Sequence, residues 1–220
     1  MPLQNRVTPF GEVVALSGRG TMMGNRGILH DDSRRIVRGW QVRRWIACVL
    51  EFRGRRRLVM QPHRYTELFF LDEAAAFAAG HRPCAECRRA DFNRFQSIWR
   101  ASFGGPANAD AMDDRLHAER LDGKRKRTYL APIAALPDGA YIAADGLAWL
   151  VLGDTLHEWS DSGYVRRRAR PRRGKAEVLT PRAIVEILAA GYSSESSIHR
   201  SASGASGFVR RPLSTKPQRS

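Results

Sequence analysis

A stretch of nineteen residues, 69–87, decides the fold and reads FFLDEAAAFAAGHRPCAEC. Its first residues end a strand that is predicted over residues 66–71. Asp72 has a side chain that favours a helix N-cap, and Gly80 stands where glycine is favoured just after a helix. The alanine-rich residues between them, 73–79, are therefore predicted to form a short helix that leads directly into a tight turn.

The turn carries Cys84 and Cys87 as a Cys-x-x-Cys pair. Two thiolates at this spacing span one edge of a tetrahedral zinc–sulfur site, and a structural zinc ion needs two further ligands. A helix predicted to start near Cys87 and to end near residue 102 adds backbone N–H groups that stabilise thiolates. Two alternatives stay open, a redox-active pair and two ordinary buried cysteines. The redox alternative requires a buried strand directly before the pair, whereas a helix and a glycine precede it here.

The remaining cysteine is Cys48, which makes three in all. An odd number with one tight pair argues against a disulfide framework. No apolar run approaches the roughly 20 residues that a membrane span needs, and the first residues lack the apolar segment of a signal peptide. We therefore expect a cytoplasmic protein without a membrane partner.

Residues 65–89 resemble the second half of the zinc-binding domain of the Ada-type DNA-repair proteins. The resemblance is carried by a strand ending in phenylalanine, a short Glu-Ala helix and the pattern Gly-x-Arg-Pro-Cys-x-x-Cys. A similar module occurs at the ends of several bacterial nucleases. The resemblance implies bound Zn²⁺ and association with DNA. The family's earlier ligand pair is missing from this chain, so a site of four cysteines is impossible.

The resemblance leaves the other ligands to be found upstream. Cys48 is the obvious third ligand, because its predicted strand precedes the same sheet. The fourth would be His30, His63 or His81. We prefer His30 slightly over His63, and expect His81 to pack in the interior because it replaces an aromatic residue of the family. In Ada one zinc cysteine accepts a methyl group, and that role would map to Cys48.

Charge gives the second functional indication. The chain has 37 lysines and arginines but only 22 acidic residues, and its net charge is +15. Such a field attracts polyanions, and phosphate is the ligand that the planar guanidinium of arginine matches best. A high-GC genome would explain arginine in place of lysine but not the excess of positive charge. We therefore expect a nucleic-acid partner, namely duplex DNA, and leave the oligomeric state open.

Basic residues cluster in several places along the chain. One cluster lies at the tip of a β-hairpin predicted from residues 45–52 and 58–60, a second follows the cysteine pair, and a third follows a helix predicted over residues 111–120. An arginine run over residues 166–173 equally fits phosphate contacts or a solvated surface. The expected contacts to nucleic acid are Arg53, Arg55, Arg56, Arg57, Arg88, Arg89, Lys124, Arg125, Lys126 and Arg127.

A rival function is a metal-dependent nuclease that uses Asp114, His117 and Glu119 on the predicted helix. A carboxylate and a histidine beside a basic cluster could hold Mg²⁺, which activates water for attack on phosphate. The alternative is a solvated helix with ordinary ion pairs, since no known nuclease motif is complete. A third possibility is a structural domain whose charge is incidental.

The order of elements is neither a regular βαβ series nor a series of strands, so the predicted class is α+β. Residues 1–103 are predicted to form a small zinc-bearing subdomain. Residues 104–192 are predicted to add a basic helix, a β-meander and a closing helix over residues 181–190. The meander strands are predicted over residues 140–144, 147–152 and 155–159. Residues 193–220 are rich in serine and are expected to be a disordered basic tail.

Overall fold

The computed structural model describes residues 1–54, 58–193 and 198–203. Within these ranges the α+β class is confirmed, with four α-helices and fourteen strands. The strands are β1 Gln4–Val7, β2 Val13–Ala15, β3 Met22–Asn25, β4 Ile46–Cys48, β5 Leu68–Phe70, β6 Arg82–Pro83, β7 Leu121–Asp122, β8 Arg125–Lys126, β9 Tyr129–Pro132, β10 Tyr141–Ala144, β11 Leu147–Leu152, β12 Thr155–Ser160, β13 Gly163–Ala169 and β14 Lys175–Val178. The helices are α1 Glu73–Ala78, α2 Arg89–Phe103, α3 Ala109–Arg120 and α4 Arg182–Ala189.

The first sheet has the strand order β2-β1-β5-β3-β4-β6. It is mixed, because β1 runs parallel to β5 and β4 runs parallel to β6, whereas the other neighbours are antiparallel. The predicted hairpin of residues 45–52 and 58–60 is wrong. Strand β4 ends at Cys48, and its two edges are already paired with β3 and β6. No edge of β4 is left for residues 58–60, which lie outside any strand.

The second sheet has the order β13-β12-β11-β10-β14-β9 and is antiparallel throughout. The predicted meander forms its centre. Asp145 and Gly146 both have positive φ, 55° and 73°, which is the conformation of a tight two-residue hairpin turn. Strands β13, β14 and β9 were not predicted. Strand β13 carries three consecutive arginines on the sheet edge, so its sequence lacks the alternation that marks a half-buried strand.

Helix α1 begins and ends as predicted from Asp72 and Gly80. The Asp72 carboxylate accepts a hydrogen bond from the Ala75 N–H at 2.8 Å, and Gly80 has a φ of 88°. All six residues of the helix are buried. The helix contacts β5 of the first sheet and β10 of the second. Alanine suits this position because small side chains let both sheets pack closely against the helix.

Two apolar clusters join residues from both sides of the predicted boundary at 103/104. One contains α1 alanines and Phe70 together with Tyr141 and Leu150 of the second sheet. The other packs Phe77 of α1 against the apolar faces of α2, α3 and α4. The two predicted segments therefore share their core. None of the helices in the described residues is long and apolar enough to cross a membrane.

Part of the segment expected to be a disordered tail is structured. Residues 198–203 pack against the first apolar cluster, where Ala202 is 3% exposed. The His199 N–H donates to the Asp72 carboxylate at 2.8 Å, and the Ser201 hydroxyl accepts from the Tyr164 N–H at 2.7 Å. The prediction of disorder is therefore wrong for these six residues, because a few specific hydrogen bonds hold a segment that composition alone classifies as polar.

Candidate metal centre and basic surfaces

Cys48, Cys84 and Cys87 form one cluster, in which the three sulfur atoms all lie within 4.8 Å of one another. This confirms that Cys48 joins the Cys-x-x-Cys pair. It is the only group of three or more potential metal ligands in the described part of the chain. Thiolate sulfur is a ligand for zinc and other soft metal ions, so the cluster could hold a metal ion such as zinc.

The first sheet positions two of the cysteines. In the parallel pairing of β4 with β6, Ala47 lies opposite Pro83, and the Cys84 N–H donates to the Ala47 carbonyl at 3.0 Å. Cys48 and Cys84 directly follow this pair and so become neighbours across the sheet. Cys87 returns to the same place because the turn is closed by a hydrogen bond from the Arg88 N–H to the Cys84 carbonyl at 3.1 Å.

Backbone donors surround the sulfurs and favour thiolate. The N–H groups of Glu86 and Cys87 donate to the Cys84 sulfur, at 3.4 Å from the Glu86 nitrogen, and the Val49 N–H donates to Cys87. Hydrogen bonds from Cys48 and Cys87 hold the pKa of Cys84 well below its ordinary value. The hydrogen bonds of Cys48 with Cys84 and Cys87, together with burial, raise the pKa of Cys48. A divalent cation bound by the cluster would favour ionisation of all three sulfurs.

The surroundings of the cluster are apolar. Met23 is buried beside the sulfurs, and the half-buried Ile46 and Phe69 pack against them. This apolar shell keeps water from one side of the cluster and strengthens the attraction of the thiolates for a cation. Among the three cysteines only Cys87 is half-buried rather than buried, so the cluster reaches solvent on that side. The donor set, the backbone N–H groups and the shell all fit a bound zinc ion.

His30, the expected fourth ligand, does not join the cluster. Its Nδ1 atom lies 2.6 Å from the Thr66 hydroxyl and its Nε2 atom 3.2 Å from the Gln61 carbonyl oxygen. Both ring nitrogens are therefore engaged away from the sulfurs, and the prediction of His30 as a ligand needs correction. His63 is exposed on a loop. His81 packs as expected, with its ring centroid 4.6 Å from that of Phe70.

Two of the expected phosphate contacts point into the protein instead. The buried Arg88 guanidinium pairs with Glu73 at 2.6 Å and with Asp91 at 2.7 Å. The Lys126 ammonium donates to the Ala78 carbonyl at the C-terminal end of α1, where helix carbonyls lack partners within the helix. Both expectations are corrected, because these two side chains bind acceptors inside the protein and are not free to meet phosphate.

The other expected contacts that fall in the described residues remain on the surface. Five are exposed: Arg53, Arg89, Lys124, Arg125 and Arg127. Arg53 lies over the Phe52 ring, with its guanidinium carbon 5.0 Å from the centroid. Arg127 donates to the Leu121 carbonyl at 3.0 Å. Arg55, Arg56 and Arg57 fall outside the described residues.

The three residues of the nuclease alternative do not converge. Asp114 pairs with Arg43 at 2.9 Å on the surface, and the His117 ring lies edge-on to Trp40 at 4.5 Å. Glu119 accepts from the Ala183 N–H at 2.7 Å, at the start of α4. Each side chain serves a different contact. No group of three metal-binding side chains forms there in the described residues, and the predicted nuclease site is therefore not assembled.

The arginine run noted in the sequence forms an exposed basic surface, which we call the 166–175 segment. It contains seven basic and no acidic residues: Arg166, Arg167, Arg168, Arg170, Arg172, Arg173 and Lys175. It comprises most of the edge strand β13 and the connection to β14. Arg167, Arg172, Arg173 and Lys175 have no ion-pair partner within the described ranges. Arg168 lies over the Trp149 ring, with its guanidinium carbon 4.1 Å from the centroid.

A second group of arginines was missed by sequence reasoning because it is buried. Arg26 and Arg120 each place the guanidinium carbon 4.0 Å from the Trp45 ring centroid, and both side chains are almost fully buried. Arg26 donates to the Nε2 atom of His81 at 3.2 Å. Arg120 donates to the Gly80 carbonyl at 2.9 Å. No local pattern marks these residues, since their contacts join parts of the chain far apart in sequence.

Comparisons with protein-family models, with curated proteins and with solved structures find no match for this chain. Two features of the molecule bear on its function. One is the cluster of Cys48, Cys84 and Cys87, which has the composition of a metal centre. The other is the exposed 166–175 segment, whose charge is only partly neutralised.

Proposed function

We propose that this protein is a zinc-stabilised nucleic-acid-binding protein that holds duplex DNA through its phosphates. The metal has a structural role, because it links β4 to the turn after β6 and so fixes the edge of the first sheet. The cluster of Cys48, Cys84 and Cys87 supports this part of the proposal. Zinc is the preferred ion because thiolate sulfur and a tetrahedral arrangement are typical of its structural sites.

The observation that carries the binding part of the proposal is the 166–175 segment. Its uncompensated arginines stand on a sheet edge and on a loop, where a large polyanion can reach them. Arg166 and Arg168 pair with Glu158 and Asp145, but both arginines are well exposed. The pair of Arg168 with Asp145 is exposed on both sides, and such pairs are weak, so phosphate can compete for the Arg168 guanidinium.

Association with DNA repair is the narrower proposal and rests on the resemblance of residues 65–89 to the Ada-type zinc domain. The structure supports it to the extent that the strand, short helix and cysteine turn occur in that order. The buried Arg88 shows that the turn itself offers fewer phosphate contacts than its sequence indicates. The proposal therefore assigns the main DNA contact to the second sheet and not to the cysteine turn.

The test is binding to a fluorescent duplex over a range of salt concentrations. Log affinity should fall linearly with log salt, with a slope of about −0.9 per phosphate contact. Replacing Arg167, Arg172 and Arg173 together by alanine should reduce the slope by about two to three units and weaken all sequences alike. The matched control replaces Arg38, Arg64 and Arg100, which are also exposed and lie apart along the chain.

The control separates a defined surface from net charge. If both triple variants lower the slope equally, the 166–175 segment is not the binding surface and only the total charge matters. If the wild-type protein forms no complex even at low salt, nucleic acid is removed from the proposal. The zinc site would be unaffected by either result.

A further inference from the structure

The metal centre contains all the cysteines that the chain possesses, and they number three. Zinc sites in proteins are almost always four-coordinate. In the described residues no histidine, aspartate or glutamate places a ligand atom within 4.8 Å of all three sulfurs. A fourth ligand from the chain would therefore have to be a side chain that lies farther from the sulfurs or outside the described residues.

All six histidines lie in the described ranges, and five of them make other contacts. These five are His30 with Thr66 and Gln61, His81 with Arg26, His117 with Trp40 and Arg120, His157 with Thr155, and His199 with Ser201. The sixth, His63, is exposed on its loop. The rest of the sequence, residues 55–57, 194–197 and 204–220, contains no cysteine or histidine and one carboxylate side chain, Glu195.

We propose that the metal held by Cys48, Cys84 and Cys87 keeps its fourth coordination position for an exchangeable ligand from outside the chain. This inference rests on the metal part of the proposed function. Water occupies the position at rest, and a neutral nitrogen donor of the imidazole class replaces it. The exchange forms one metal–nitrogen bond and breaks one metal–oxygen bond, with no redox change.

Charge and access select this class of ligand. A divalent ion with three thiolates carries a net charge of −1, and the shell of Met23, Ile46 and Phe69 is apolar. A neutral donor adds no further charge to that shell, whereas another thiolate would raise the cost of burial. The half-buried Cys87 leaves a side from which a small molecule can approach.

The experiment uses the full-length protein with Co²⁺ in place of Zn²⁺, because cobalt reports its ligands through visible absorption. Adding imidazole should change the spectrum in a saturable way. X-ray absorption of the zinc form should show three sulfurs at about 2.3 Å and one nitrogen or oxygen at about 2.0–2.1 Å. A spectrum that stays unchanged at a large excess of imidazole, or a fourth sulfur, would overturn the inference.

Three variants test whether the chain supplies the fourth ligand itself: His30→Ala, His63→Ala and Glu195→Ala. Each should bind cobalt and respond to imidazole as the wild type does. If the wild type is unresponsive and one variant becomes responsive, that residue is the fourth ligand and the inference is wrong. Failure of the wild type to bind either metal overturns the zinc proposal together with this inference. Metal binding without a response to imidazole overturns the inference alone.

Discussion

Arg82 and Asp113 form a buried ion pair with two hydrogen bonds, Nε to Oδ1 at 3.0 Å and Nη2 to Oδ2 at 2.6 Å. Their side chains are only 1% and 4% exposed. Arg82 lies on β6, two residues before Cys84, and Asp113 lies on α3, a helix that packs in the apolar cluster around Phe77. The ion pair therefore connects the strand before the cysteine turn with this helix. The cysteine cluster is thereby attached to the protein interior through more than its own strand.

Replacing Asp113 by alanine should therefore be strongly destabilising. It leaves the Arg82 guanidinium buried without a counter-charge, which typically costs about 3–5 kcal/mol. The measurement is urea denaturation at neutral pH. The matched control is Asp114→Ala on the same helix, where the lost pair with Arg43 is exposed and contributes about 0–1 kcal/mol. Equal decreases in the free energy of unfolding in the two variants would show that the buried Arg82–Asp113 pair stabilises the protein no more than the exposed pair.

Local signals predicted the parts of this fold whose partners lie nearby in sequence. Asp72 and Gly80 delimit α1 because their capping contacts lie within the turns at its own ends. Cys84 and Cys87 are predictable for the same reason, since one tight turn brings them together. The placement of Cys48 also proved correct, because its strand enters the same sheet.

Contacts over longer distances were not predictable from one sequence. Residues 45–52 and 58–60 look like a hairpin, yet β4 pairs with β3 and β6, and nothing local ranks these competing partners. The sequence around His30 is compatible with a metal ligand, but its ring forms a hydrogen bond with Thr66, which lies 36 residues later in the chain. Strand β13 went unrecognised because its arginines hide any alternation, although their charge marked them as a surface of interest.

The cysteine cluster predicts a defined response to mutation. Cys84→Ser should lower the zinc content from about one ion per chain towards zero, and the stability of the protein with it, because structural zinc contributes directly to the free energy of folding. Metal analysis combined with thermal denaturation makes the measurement. Ser102→Ala is the control, since Ser102 is exposed on α2 and should affect neither quantity. An unchanged zinc content and an unchanged melting temperature in Cys84→Ser would contradict the proposed metal centre.

The structured part of the tail predicts different results for two truncations. Removing residues 194–220 deletes the segment 198–203. The Tyr164 N–H then loses the Ser201 hydroxyl, and the Asp72 carboxylate loses one of its hydrogen bonds, the one from the His199 N–H. Each lost partner of a buried group costs about 1–3 kcal/mol. Removing residues 204–220 keeps these contacts and should change the free energy of unfolding little. If both truncations melt like the full chain, the docking of residues 198–203 adds nothing to stability.

Lys126 predicts how stability depends on pH. Burial, with repulsion from Arg26 and Arg120, lowers the pKa of Lys126 from 10.5 to about 7. Above this value the folded protein has lost the proton while the unfolded chain still binds it, so the free energy of unfolding should rise as pH increases from about 7 towards 10.5. The neighbouring His81 adds no slope in this range, because burial lowers its pKa further and it stays neutral.

The test compares urea denaturation at about pH 7 and about pH 9 for the wild type, Lys126→Met and Lys124→Met. Methionine keeps the length of the side chain and removes the titration. The increase in stability between the two pH values should shrink by roughly 1–2 kcal/mol in Lys126→Met, on the scale of 1.36 kcal/mol per pKa unit. Lys124 is exposed and two residues away, so Lys124→Met should keep the wild-type increase. An equal increase in all three proteins would show that Lys126 titrates as an ordinary surface lysine, which would contradict its inward hydrogen bond to the Ala78 carbonyl.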